Sequence, residues 1–253
     1  MSSARWALVL GASSGFGEAV ALQLAEDGMD IFGVHLDRRE TLPKVERIRA
    51  GIRGFGRECV FFNANAGDDE KRCAIIEEIK TRQPEVKVLF HSLAFGALKP
   101  LADLNRRQME TTADIMGHSL VYWTRDLIAA GLMSAGGRIF AMTSEGGIRA
   151  VPQYGAVSAA KAILEAHIRQ LALELAPLGI TANAILAGVA DTPALRKIPG
   201  HETIVEFARR RNPHGRLTTP VDVARCVSVL CHPNTYWMTG NTLRVDGGEN
   251  SVG

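Results

Sequence analysis

Short, mostly apolar runs alternate along this chain with longer segments whose apolar positions recur at helical spacing. The first run, residues 6–10, reads as a buried strand, and Ala19, Val20, Leu22, Leu24 and Ala25 then trace a helix that Gly28 ends. Further strands are predicted at 30–36, 59–63, 86–90, 137–144, 181–186 and 243–245. Helices are predicted at 42–55 and at 69–82, where Pro84 bars continuation, and one or two fill 105–133. A long helix opens near Tyr154, with Leu164, Ile168, Leu171 and Leu175 on one stripe. Apolar strands separated by helices fit a parallel sheet covered on both faces. The expected fold is α/β: one Rossmann-like domain over 1–253, a doubly wound parallel sheet with helices on both faces.

Composition narrows the function. A chain of 253 residues with 46% hydrophobic content has the size and core of an ordinary globular enzyme, and a net charge of +2 gives no reason to expect nucleic acid. Cys59, Cys73, Cys226 and Cys231 show neither metal-ligand nor dense disulfide spacing, and His118, His167, His201, His214 and His232 show no ligand spacing. No metal site is expected, and a reducing compartment is. The apolar run at 6–10 is only a strand long and glycines follow it, so neither signal peptide nor membrane span is expected and the chain is placed in the cytoplasm.

The chemistry begins right after the first strand. Gly11-Ala-Ser13-Ser14-Gly15-Phe16-Gly17 joins strand to helix, where glycines let the backbone approach a pyrophosphate and the helix start supplies amide donors. The spacing is Gly-x3-Gly-x-Gly, and a tight turn with no ligand is the plainer alternative. Past the second strand stand Asp37, Arg38 and Arg39. An acid there selects a free ribose 2′-hydroxyl and arginines accept a 2′-phosphate, so the signal is mixed. Gly11, His35, Asn65, His91, Ser144 and Gly188 all fall at or just past carboxyl ends of predicted strands, where such sheets bind ligands. Tyr154 and Lys161, six residues apart, open the long helix. The phenol is expected to reach back beside the ammonium and to donate to an oxygen gaining charge.

These motifs, with Gly188 to Thr192 after the sixth strand and Val245-Asp-Gly-Gly248 at the end, resemble the short-chain dehydrogenase/reductase family over essentially the whole chain. Ordinary members place the tyrosine four residues before the lysine, where this chain has Val157, and a helical asparagine where it has Met116. Both departures, and the loop His91-Ser92-Leu93-Ala94-Phe95, resemble the enoyl-[acyl-carrier-protein] reductases of the Tyr-x6-Lys type; so does Asn212-Pro-His-Gly-Arg-Leu217. Glu145 stands where some of that group carry a second tyrosine.

The resemblance implies NAD(P)H-dependent reduction of the α,β double bond of enoyl thioesters, carried by acyl carrier protein or coenzyme A, in fatty acid biosynthesis. Tyr154 would donate to the thioester oxygen, Lys161 would bind the nicotinamide ribose, and Thr192 would meet the nicotinamide amide. Ser144 is either a minor polar contact or a strand-end cap. Asn65, His91, Ser92, Leu93, Ala94 and Gly188 complete the expected cofactor contacts. NADPH is expected over NADH, because Arg38 and Arg39 can pair with a 2′-phosphate. A carbonyl or 3-ketoacyl reductase, or a hydroxy dehydrogenase, of the same family is the alternative, and a nucleotide-sensing binding protein is a third reading. Residues 190–217 suit a lid, and the cations Arg196, Lys197, Arg209, Arg210, Arg211 and Arg216 either dock an acidic carrier or simply face solvent. Ala162, Ile163, Ala166 and Leu173 widen the apolar face of the long helix, which with the resemblance points to a homotetramer.

Overall fold

The computed structural model describes residues 5–252. The chain alternates strand and helix throughout: β1 (Arg5–Leu10), α1 (Gly15–Glu26), β2 (Asp30–His35), α2 (Leu42–Gly54), β3 (Cys59–Asn63), α3 (Asp69–Thr81) and β4 (Glu85–His91). There follow α4 (Arg106–Ala113), α5 (Ser119–Ala129), β5 (Arg138–Thr143), α6 (Gly155–Leu175), β6 (Thr181–Ala187), α7 (His201–Arg211), α8 (Pro220–Leu230) and β7 (Thr242–Val245). The strands form one sheet in the order β3-β2-β1-β4-β5-β6-β7, every pairing parallel. The order reverses between β1 and β4, so the crevice above that junction is the natural ligand site.

Two buried layers sandwich the sheet, as period-two alternation of side chains requires. On one face Leu8, Leu10, Phe32, Leu89 and Ile139 pack against Ile75 and Ile79 of α3, Leu120, Trp123 and Leu127 of α5, and Leu164, Ile168, Leu171 and Leu175 of α6. On the other, Ala7, Val9, Ile31, Phe90 and Phe140 meet Val20 and Leu24 of α1, Ile48 and Ile52 of α2, and Val223 and Val227 of α8. Three helices per face is the doubly wound plan expected from the pattern.

Two details depart from expectation, and a third bears on assembly. Region 105–133 contains α4 and α5 joined by a wide π turn, Asp114–His118, which shifts the helical phase between them. Helix α8 lies in a stretch where no element is predicted, although Thr219 and Asp222 form a capping box with Pro220 at the first position. The outer face of α6 is uncovered in the single chain, with Ala162 and Ala166 exposed and Leu173 71% exposed. Among the described residues no helix is long and apolar enough to cross a membrane, and no cluster of His, Cys, Asp or Glu could hold a metal.

Candidate active site

A cleft of about 430 Å³ opens above the carboxyl ends of β1, β4, β5 and β6. It is lined at one side by Ser14, Gly15 and Phe16, and at its floor by Ser92, Leu93 and Ala94. Its far wall holds Ser144, Tyr154, Lys161, Gly188 and Thr192. Residues separated by up to most of the chain's length are brought to one place because each follows a parallel strand.

The glycine loop has the shape of a cradle. Gly11 has φ +87°, and a Cβ there would lie 2.5 Å from the Ser92 carbonyl oxygen. A Cβ on Gly17 would lie 2.0 Å from the Gly11 carbonyl oxygen, so only glycine lets the first turn of α1 close down on the loop. Ser14 occupies the N-cap position of α1 without its hydroxyl capping any amide, which leaves first-turn donors directed at the cleft. The residues therefore fit a dinucleotide pyrophosphate.

Lys161 is buried, 5% exposed, on the second turn of α6, and its Nζ donates to the Met142 carbonyl of β5 at 2.7 Å. Burial pulls its ammonium down from 10.5 to about 8, with the Glu165 carboxylate one turn along opposing the shift. Glu165 is itself positioned by the Thr143 hydroxyl, which donates to it at 2.6 Å. Tyr154 is the N-cap residue of α6, and its ring lies flat against Gly146, where a Cβ would come within 2.5 Å of it. Its hydroxyl lies 3.5 Å from Ser144 Oγ. Burial raises the phenol above its ordinary value, against a smaller opposing effect of Ser144, so near neutrality Tyr154 is a proton-bearing donor.

Phenol and ammonium thus share the cleft but do not pair directly: one reaches Ser144, the other Met142. Ser144 serves both readings, since its Oγ also accepts from the Gly146 amide and caps the turn Glu145–Gly147. Thr192 is buried, and its Oγ1 accepts from the Leu195 amide, fixing the first turn of the 190–217 segment. Phe95, Leu98, Leu195, Ile198 and Ile204 give the mouth its apolar lining.

Several expected cofactor residues do not line this cleft. His91 is fully buried beneath the cleft, its Nε2 2.8 Å from Ser119 Oγ, and Ser119 donates onward to the Ile115 carbonyl. The ring therefore donates through Nε2, and burial first, then the Lys161 charge, pushes it down to about 3, so it stays neutral. Asn65 is exposed and closes a local turn by accepting from the Gly67 amide. Arg38 and Arg39 are exposed just past the carboxyl end of β2 and are not among the residues lining this cleft. Of the six cations between 190 and 217, Arg196 pairs with Asp191 and Arg216 with Asp222. Arg211 is 7% exposed and bonds Glu145 at 3.0 Å and Asn250 at 2.8 Å, so it is unavailable to a docking partner.

Sequence reading did not find Glu165, nor Glu249, which is buried and accepts from the Val189 amide beside Gly188. Its burial raises the carboxyl, with the Val189 bond and Arg211 opposing. Only tertiary packing reveals either. The Lys161 value has a consequence in solution. Cofactor affinity is expected to fall as pH rises through about 8, where the ammonium is lost. Titration calorimetry with NADP⁺ across that range checks it, and Lys161→Met should bind weakly at every pH with no such step. Stability runs the other way: burying the charge costs most below that pH, and the cost fades between about 8 and 10.5.

The family model described as "Enoyl-(Acyl carrier protein) reductase" matches residues 11–250. The chain is 30% identical over 251 residues to 1-cyclohexenylcarbonyl-CoA reductase of Streptomyces collinus, covering 97% of this chain and 86% of that one. It is 30% identical over 199 residues to the NADPH enoyl-[acyl-carrier-protein] reductase of Staphylococcus aureus, covering 77% of each. The crystal structure of the NADH enoyl-[acyl-carrier-protein] reductase of Aquifex aeolicus superposes with a TM-score of 0.87 at 26% identity, covering 99% of this chain and 97% of that one. With its parallel sheet, glycine cradle and Tyr-x6-Lys pair, the chain belongs to the short-chain dehydrogenase/reductase family, in the group described by that enoyl reductase model.

Proposed function

We propose that this protein is an NADPH-dependent reductase of the α,β double bond of enoyl thioesters, presented on acyl carrier protein or coenzyme A. One observation carries the reading. Met116 and Val157, the two positions where ordinary members of the family hold asparagine and tyrosine, pack on each other with Ala160, Leu98 and Tyr154 as one apolar cluster beside the donor. A Cβ at Gly96 would touch both side chains, so the loop after β4 is moulded to that wall. The wall removes the polar relay that reduction of a ketone to an alkoxide uses. It leaves a hydrogen-bond donor facing an apolar channel, which suits an enolate whose proton goes to carbon afterwards.

When bound, the reduced nicotinamide supplies hydride to the β-carbon. The α1 amides and the glycine loop would hold its pyrophosphate, and Lys161 its ribose. Tyr154, kept protonated by burial, donates to the thioester oxygen as charge gathers there, a contribution of about 3–4 kcal/mol in a water-poor site. The apolar mouth excludes water around that oxygen and accepts the acyl chain.

Cofactor oxidation assayed with crotonyl and 3-ketoacyl thioesters tests the reading. At least about tenfold higher kcat/KM on crotonyl thioester is expected, a barrier difference of about 1.4 kcal/mol. Faster reduction of the ketone would instead favour the carbonyl reductase reading, to which the Tyr154–Ser144 contact lends its one support. NADPH follows from Arg38 and Arg39, which make no ion pair among the described residues. Lys197, Arg209 and Arg210 remain as cations that an acidic carrier would meet. The uncovered face of α6 fits burial in a homotetramer, and light scattering at micromolar concentration should return four times the 27.3 kDa chain.

A further inference from the structure

Past β2 the polypeptide makes a compact polar knot. His35, the last residue of the strand, is buried with its side chain 3% exposed, and its Nδ1 lies 3.0 Å from Asp37 Oδ2. The ring packs near Phe61 of β3, at 6.1 Å between centroids. Asp37 is clamped through its backbone as well: its amide donates to Asn63 Oδ1 and its carbonyl accepts from Asn63 Nδ2, each at 3.0 Å. The Asp37 side chain is only 16% exposed as a result. Burial alone would raise its carboxyl, but Ser13, Thr41 and the His35 ring hold it below the ordinary value, so it remains an anion serviced by protein donors. Arg38 and Arg39, next along, are exposed.

An acid at this place in the fold favours a free 2′-hydroxyl only if it presents an acceptor oxygen to the ribose and its charge to a 2′-phosphate. Here one oxygen is given to a buried ring and the carboxylate is turned into the knot. The acid is tied to β2, β3 and the glycine loop, while Arg38 and Arg39 beside it stay exposed. We propose that His35 sets the choice between the two nicotinamide cofactors, by holding Asp37 away from the ribose 2′ position and leaving Arg38 and Arg39 to meet a 2′-phosphate. His35 is a positioning residue: it acts through Asp37 and touches no cofactor itself. This rests on the NADPH reading above and extends it.

Titration calorimetry with NADP⁺ and NAD⁺ tests the proposal without any substrate. Wild-type protein should bind NADP⁺ more tightly. His35→Leu keeps the bulk and loses the donor. It frees Asp37 and should move the ratio of the two Kd values about tenfold toward NAD⁺. His35→Asn, which restores an amide donor near the Nδ1 position, should stay close to wild type. In an Asp37→Ala background, His35→Leu should leave the ratio unchanged. An unaltered ratio in a His35→Leu protein that melts normally overturns the proposal. Should that variant not fold, Asp37→Ala alone decides. A sequestered acid predicts a change under about threefold, whereas a shift of about tenfold toward NADP⁺ means the carboxylate already faces the ribose. Wild-type preference for NAD⁺, with His35→Leu increasing it further, would sink the NADPH reading and leave the role of His35 standing.

Discussion

Tyr154→Phe should lower kcat on crotonyl thioester by about 10²–10³, the usual loss for one oxyanion donor. The substitution is close to isosteric here. The ring is held between the Gly146 backbone and the Met116–Val157 wall, and phenylalanine fills that slot equally well. Only the hydroxyl disappears, and with it the group 3.5 Å from Ser144 Oγ. Cofactor Kd should hardly move, since the buried Lys161 ammonium and the glycine cradle are untouched. Steady-state kinetics paired with calorimetry reads both quantities. A Phe variant within a few-fold of wild type would mean that Ser144 or solvent carries the oxyanion, because Val157 has no hydroxyl to offer.

Gly17→Ala carries the second large effect. Its methyl would sit 2.0 Å from the Gly11 carbonyl oxygen, a backbone atom with no freedom to swing aside. Either α1 tilts off the loop or the loop lifts from Ser92, and both spoil the pyrophosphate cradle. Overpacking of this kind costs about 1–3 kcal/mol in ordinary cores, and more is expected where backbone meets backbone. The expected readings are a clearly lowered Tm and loss of measurable NADP⁺ binding at millimolar ligand. Gly28→Ala is the control. Gly28 has φ +93° with nothing within 4 Å of a built Cβ, so local backbone strain lowers Tm while affinity stays. Equal loss of affinity in both would show that general destabilisation, not the cradle, is responsible.

Much of this was legible in the chain because hydrophobic period reports burial directly. The 59–63 strand and the Leu164-Ile168-Leu171-Leu175 stripe were readable in that way, and both lie where the pattern put them. The π turn was not, since it offsets the stripe of α5 from that of α4 and leaves no residue-type signature. Helix α8 was missed, although Thr219-Pro220 and Asp222 carry a cap signal that needs no periodicity. His91 illustrates parity. It stands two residues after Leu89 on the same strand and so shares its face, which points the imidazole into the helix layer and not at the mouth. The long-range polar contacts were out of reach in principle: Arg211 meets Glu145 across 66 residues, and nothing in either neighbourhood announces the other.

That same ion pair fixes one end of helix α7. Helix α7 follows Gly200, whose φ of +73° places it in the left-handed region at the N-cap, and Ala208 is the one buried residue of the helix. Its other end is bolted down, by Arg211 to Glu145 and Asn250 and by the Asn212 amide to the Asp246 carbonyl. If the 190–217 segment acts as a lid, this anchoring would let it move at Ile204 and hold it at Arg211. On the proposed function, an acyl chain would enter under the Ile204 edge while the reacting end of the cleft, beside Glu145, kept its shape.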